Sequence, residues 1–174
     1  GDQPGGVVAP DLIERAVANF SASRYAGLPA PEAEVGVALR VGSWVIRGRI
    51  DAIFRPQGAD GGVELVDWKT GGRAQATPGG IDQLGLYALA LRQLGRLPEA
   101  GCLVSYCYLG GDQPEVDSRH LGQAELDRQR GQLEAALAAL DHGDYARACG
   151  RRDCDTCRRA TDPGPPASPD PPTP

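Results

Sequence analysis

The sequence runs to 174 residues, 41% hydrophobic and 24% charged, with a formal net charge of −5 and a pI near 5.0. That length holds one domain with a proper core and little else; the apolar content excludes wholesale disorder, and no apolar run nears the roughly 18–20 residues of a membrane-spanning helix. The acidic balance argues against autonomous tight binding to nucleic acid, but not against a substrate delivered by a partner.

The opening Gly1-Asp2-Gln3-Pro4 lacks the basic and apolar regions of a signal peptide, and methionine is absent even at position 1. The expectation is a processed piece, an excised domain or an incomplete gene product, cytoplasmic by default. Residues 11–25 place Leu12, Ile13, Ala16, Val17 and Phe20 at helical spacing, with Asp11 as N-cap, and 27–31 (GLPAP) break the helix. Three alternating segments follow, EVGVALRV (34–41), WVIRGRIDAIF (44–54) and VELVDWK (63–69). Gly42-Ser43 and PQGADGG (56–62) separate them as short turns, so an antiparallel three-strand meander is the economical reading.

From Gly80 the period changes to that of an amphipathic helix, with Ile81, Leu84, Tyr87, Ala88 and Leu91 on one face and Asp82 and Gln83 at its start. GCLVSYCYLG (101–110) reads as a buried strand, EVDSRHL (115–121) as a further strand at an edge, and Gln123 to about Asp141 as a second long helix. The expected class is α+β, an α/β sandwich whose central mixed sheet opens with the meander and is flanked by helices. The expected division is one folded domain over 1–145, a cysteine-containing segment over 146–160 and a disordered Pro-rich tail over 161–174.

Of the 18 basic residues, all but Lys69 are arginine. Where an arginine-biased chain still uses lysine, chemistry that needs a compact ammonium able to lose its proton is one reason. Lys69 stands two residues after Asp67, which on a strand puts both on one face. Asp51 sits in the otherwise apolar GRIDAIF, and pairing its strand with the next brings it beside Asp67, with Ile50, Ile53, Val66 and Trp68 burying the other face. Two carboxylates and one lysine match what metal-assisted phosphodiester hydrolysis requires: oxygen ligands for a divalent ion and a cation near the reacting phosphate. The competing reading is a solvated Asp51 and a surface Asp67–Lys69 ion pair.

GRIDAIF, then VELVDWKTGG, then QLGLYALAL resembles the nuclease domain of RecB-like proteins in the PD-(D/E)XK superfamily, as found at the C-terminus of UvrD/Rep-type helicases. That family reads Gly-x-Ile-Asp, then Asp-x-Lys-Thr/Ser-Gly, then Gln-x-x-x-Tyr, and the match covers roughly residues 34–110. The resemblance implies a restriction-endonuclease-like core and an exonuclease-type deoxyribonuclease using Mg²⁺ or Mn²⁺. Its partners would be single-stranded DNA or duplex ends and a helicase motor, with no membrane, in repair or recombination. By the same resemblance, Asp51, Asp67 and the Trp68 backbone carbonyl would ligate the metal, and Lys69 would position or activate the attacking water. Gln83 and Tyr87 would contact the metal shell or the DNA, while Thr70 and Gly71 would shape the turn after the strand.

The sequence departs from the family pattern twice. Relatives carry a His or an acid on a helix before the first strand, whereas here no His precedes His120; Glu14 and Glu34 are the acidic substitutes, and truncation ahead of Gly1 is the simpler explanation. Some relatives hold an iron–sulfur cluster through one upstream and three C-terminal cysteines; here Cys149, Cys154 and Cys157 stand alone in CGRRDCDTC, leaving iron–sulfur or zinc ligation open. Cys102 and Cys107, in an apolar strand, are expected to be buried free thiols. A catalytically inactive module that binds or scans DNA ends is the alternative reading, and a zinc knuckle or redox centre is a third.

Overall fold

The computed structural model describes residues 10–55, 62–71 and 82–142. Helix α1 (Pro10–Ala22) leads into strands β1 (Glu32–Val41), β2 (Trp44–Phe54) and β3 (Glu64–Lys69). Helix α2 (Gln83–Gln93), strands β4 (Cys102–Tyr108) and β5 (Glu115–Leu121), and helix α3 (Gln123–Asp141) follow. The chain clusters into two compact units, 1–136 and 137–174, and the described part of the second is the end of α3 and His142. The loop at 56–61, Gly80 and Ile81, Cys149, Cys154, Cys157 and the Pro-rich stretch lie outside the described residues, as do the expected boundaries at 145 and 160.

The five strands form one mixed sheet in the order β1-β2-β3-β4-β5. The expected meander is there: β1 pairs with β2 and β2 with β3, both antiparallel. Val41 pairs with Trp44 across a two-residue turn, and Gly42 at its first position takes φ 56°, a left-handed conformation that glycine reaches without steric penalty. β4 then returns parallel to β3 by way of α2, the crossover that a parallel pair requires, and β5 closes the edge antiparallel to β4. Mixed sheet, flanking helices and strand order are those of a restriction-endonuclease-like core.

α1 corrects two expectations. It begins at Pro10, so Asp11 lies inside its first turn rather than capping it, and Tyr25 falls after its end. Its apolar positions do not all point inward: Ile13 and Val17 are more than half exposed, and the helix buries Asn19 instead. The Asn19 amide donates to the carbonyls of Leu109 (2.8 Å) and Gly111 (2.9 Å), so α1 is tied to the end of β4 by hydrogen bonds.

Both faces of the sheet are covered. On the α1 side Tyr25, Ala52, Phe54, Val66, Cys107 and Leu109 form a core cluster, with Trp68 and Ala16 packed against it. Alternation along β3 turns Leu65, Asp67 and Lys69 to the opposite face. Ile53 pairs with Leu65, one residue out of phase with Val66, so the four apolar neighbours expected to share one face are split between two. α2 lies against β1, β3 and β4, burying Leu84, Ala88 and Leu91 as the helical spacing predicts. Its N-cap is Asp82, whose carboxylate accepts from Gly85 N at 2.6 Å. Cys102 and Cys107 are free and buried, and burial pushes the Cys102 thiol up to about 12.

A polar cluster centred on the buried Glu64 and Ser105 braces the start of β3 on the α1 side. Glu64 accepts from Arg24 Nη2 (2.5 Å), Tyr25 Oη (2.8 Å) and Ser105 Oγ (2.6 Å), and Ser118 Oγ lies 2.8 Å from Ser105 Oγ. Burial first, then the neighbouring Glu64, raise the Tyr25 phenol to about 12 against the pull of Ser105 and Arg24, so it remains a donor.

Candidate active site

Asp51 stands where both ladders of β2 lapse. The β1–β2 register pairs Ala33 with Ala52 and Val35 with Ile50, passing over Glu34 and Asp51, and Glu34 takes a left-handed φ of 55°. The β2–β3 pairing ends at Ala52–Val66. Beyond it the Asp51 side chain takes over from the backbone: Trp68 N donates to Asp51 Oδ2 at 2.9 Å. A carboxylate whose appearance in an apolar strand has no packing reason thus holds β2 and β3 together where the main-chain ladder stops.

Asp67 is 2% exposed and faces the space opposite the α1 cluster. Lys69 Nζ pairs with Asp67 Oδ2 at 2.5 Å, and among the described residues no other donor reaches Oδ2. The Asp67 carboxyl is raised above its ordinary range by burial, an effect that Lys69 counters and the nearby Asp51 charge reinforces. The lysine continues the chain of contacts: Nζ donates to Gln83 Oε1 at 3.4 Å, and Gln83 Nε2 donates to Tyr87 Oη at 2.8 Å. Gln83 and Tyr87 lie one turn apart at the start of α2, which the Asp82 cap fixes in place.

Asp51, Asp67, Lys69, Gln83 and Tyr87, read from three separate motifs, are therefore gathered from the interior of β2, the end of β3 and the start of α2. Trp68 has its backbone N–H on Asp51 and its ring in the α1-side cluster, 5.5 Å from Phe20 and 5.1 Å from Tyr25, so its main chain is pinned beside the acidic pair. The Lys69 carbonyl accepts from Leu109 N at 2.7 Å, and the chain passes so close to Gly110 that a Cβ there would lie 2.0 Å from the Thr70 carbonyl oxygen. Neither acidic substitute for the upstream ligand joins them. Glu34 pairs with Arg49 at 2.7 Å and Glu14 lies exposed on α1; among the described residues no group of three or more His, Cys, Asp or Glu assembles.

Two residues escaped the sequence reading. Gly48 belongs to the Gly-x-Ile-Asp motif, and its role is spatial: a Cβ there would lie 2.4 Å from Tyr87 Cε1, so only glycine lets the ring lie on β2. Tyr106 is brought beside Asp67 by the parallel β3–β4 register, with its ring under Lys69. The glycine could have been singled out from its motif; nothing in the sequence announces the register that selects Tyr106.

The family model of the PD-(D/E)XK nuclease superfamily matches residues 8–161. No curated protein matches the sequence. Among solved structures, a protein from Eubacterium rectale provisionally named an exonuclease superposes with a TM-score of 0.52 at 13% identity, covering 91% of this chain. A protein named SSO0001 is similar over 74% of this chain at 18% identity, with a TM-score of 0.37. The chain spans 63% and 62% of those two structures respectively, and the first likeness bears on the fold alone. With the family model covering most of its length and the fold agreeing, the chain belongs to the PD-(D/E)XK nuclease superfamily.

Proposed function

We propose that this chain is the nuclease module of a RecB-like system: a Mg²⁺- or Mn²⁺-dependent deoxyribonuclease that trims DNA strands delivered by a UvrD/Rep-type helicase during repair or recombination. The observation that carries the reading is the meeting of two carboxylates and the chain's one lysine where the β2–β3 pairing stops. The three motifs of the RecB-like pattern supply those residues in order, which supports the subtype and DNA as substrate. The net charge of −5 supports delivery by a partner over unaided capture.

The residues fit a divalent cation. Asp67 is buried with Lys69 as the one partner of its Oδ2 among the described residues, and Asp51 adds a second negative charge nearby, an arrangement that favours a bound positive ion. Mg²⁺ takes one or two carboxylates and leaves its other positions to water and phosphate, which matches this sparse set. Asp51, Asp67 and the Trp68 carbonyl would hold it. When bound, the ion would supply Lewis-acid polarisation of the phosphate and a lowered pKa for attacking water.

The chain's own groups do the rest. The Lys69 ammonium orients the attacking water and offsets negative charge as it builds on the phosphate. Gln83, braced by Tyr87, holds Lys69 toward the site. Asp51 keeps the Trp68 main chain in register through its N–H. Trp68 and the aromatic cluster behind it exclude water from the far side of the strand.

The test is cleavage of a labelled single-stranded DNA oligonucleotide and of its RNA counterpart, with Mg²⁺ or Mn²⁺, by the wild-type chain and by Lys69→Ala. Cleavage of DNA, lost on adding EDTA and reduced roughly 10²–10³-fold in the variant, is the expected result. Equal cleavage by both proteins would remove Lys69 from the mechanism, and preference for RNA would overturn the substrate. Tight binding to DNA ends without cleavage would replace the enzyme by the end-binding module.

A further inference from the structure

The Lys69 ammonium lies 5.5 Å from the centroid of the Tyr106 ring, within the distance at which an aromatic face attracts a cation. The parallel register places Tyr106 beside Asp67 and Tyr108 beside Lys69, so the Tyr106 ring floors the space between acid and lysine. The ring is half-buried and its hydroxyl meets the Leu84 backbone, which joins β4 to the end of α2 that carries Gln83 and Tyr87. The ammonium, on a flexible four-carbon stem, pairs with Asp67 Oδ2 at 2.5 Å. Among the described residues, Gln83 Oε1 and the Tyr106 ring face also meet it, and they fix where along its reach it rests.

We infer that Tyr106 is a positioning residue for Lys69. Its ring face holds the ammonium in place between Asp67 and Gln83. The inference rests on the role of Lys69 proposed above. It requires the ring and not the hydroxyl, which separates Tyr106→Phe from Tyr106→Leu.

Because Lys69 is the one lysine in the chain, ¹³C-lysine labelling gives a single set of ε-methylene NMR signals that reports the ring contact whether or not the protein cleaves anything. In the wild type these signals are expected upfield of free lysine through the ring current, to stay there in Tyr106→Phe, and to return to the free-lysine position in Tyr106→Leu. In oligonucleotide cleavage Tyr106→Phe should keep kcat within about twofold, while Tyr106→Leu loses about tenfold in kcat at unchanged KM, the size of one desolvated cation–π contact. Wild-type ε-methylene signals at the free-lysine position would overturn the inference by themselves, even if Tyr106→Leu failed to fold. So would equal losses in the two variants, which would assign the effect to the hydroxyl, or a loss confined to KM. If the wild type proved inactive, the NMR comparison alone would still decide the geometry, separating its failure from that of the nuclease reading.

Discussion

β3 carries two buried carboxylates three residues apart, and they have opposite surroundings. Glu64, 9% exposed, faces α1 and accepts from a guanidinium, a phenol and a hydroxyl. Asp67, 2% exposed, faces the other way beside a second acid, with Lys69 as the one partner of its Oδ2 among the described residues. Burial of a charge is tolerated when hydrogen bonds and an opposite charge surround it, and Glu64 meets that condition within the protein. Asp67 does not, and the residual imbalance appears as a carboxyl raised above its ordinary range. On the proposed reading the strand separates two tasks: one carboxylate fastens the fold, and the other would take a cation from outside.

The comparison breaks most visibly under substitution of each acid. Asp67→Asn should lower DNA cleavage roughly 10²–10³-fold by weakening the proposed cation site, read as kcat/KM on a labelled oligonucleotide. Glu64→Ala should leave Tyr25 and Ser105 without their acceptor and lower stability by about 1–3 kcal/mol, read by urea denaturation, with cleavage per folded molecule little changed. If Glu64→Ala instead abolished cleavage at full stability, the division of roles would be wrong. Gly48→Ala should displace the Tyr87 ring and cut kcat by about tenfold with little loss of stability. Combining it with Tyr87→Phe should add less than the product of the two single effects, since both break one relay.

The smallest effect is on the pH dependence of stability without metal. Because the folded pKa of Asp67 is raised, the folded state holds that proton more firmly than the unfolded chain does. Stability therefore falls as pH rises from the ordinary carboxylate value through the raised one, and the penalty is fully present above it. Asp67→Asn should flatten that part of the profile and raise Tm slightly at neutral pH. A profile steeper in the variant than in the wild type would contradict the sign.

Much of the fold was legible because the period of hydrophobicity changes where the structure changes. β2 and β5 match their expected bounds, and β1 gains only Glu32 and Ala33. The motifs also announced which residues would meet, since alternation puts Asp67 and Lys69 on one face and a helical turn puts Gln83 and Tyr87 together. What the sequence hid depends on three-dimensional register. The lapse of both ladders at Asp51, the Trp68 N–H on its carboxylate and the place of Tyr106 follow from how β2, β3 and β4 align, which no local pattern encodes. α1 misled for a different reason. Helical spacing of Ile13, Val17 and Phe20 reads as a core face, but the core is closed by Tyr25, Phe54 and Trp68 while hydrogen bonds from Asn19 hold the helix. Glu64 went unremarked because its three donors come from two distant segments.

The most direct test of the contrast between the two acids is the shift in Tm on adding Mn²⁺ to the wild type, Asp67→Asn and Glu64→Gln. At a concentration about 100 times the dissociation constant, a specific ion stabilises the folded state by about 2.7 kcal/mol. A rise in the wild type and in Glu64→Gln, absent in Asp67→Asn, is the predicted result. An equal rise in all three, or none in the wild type, would mean that Asp67 does not hold the cation.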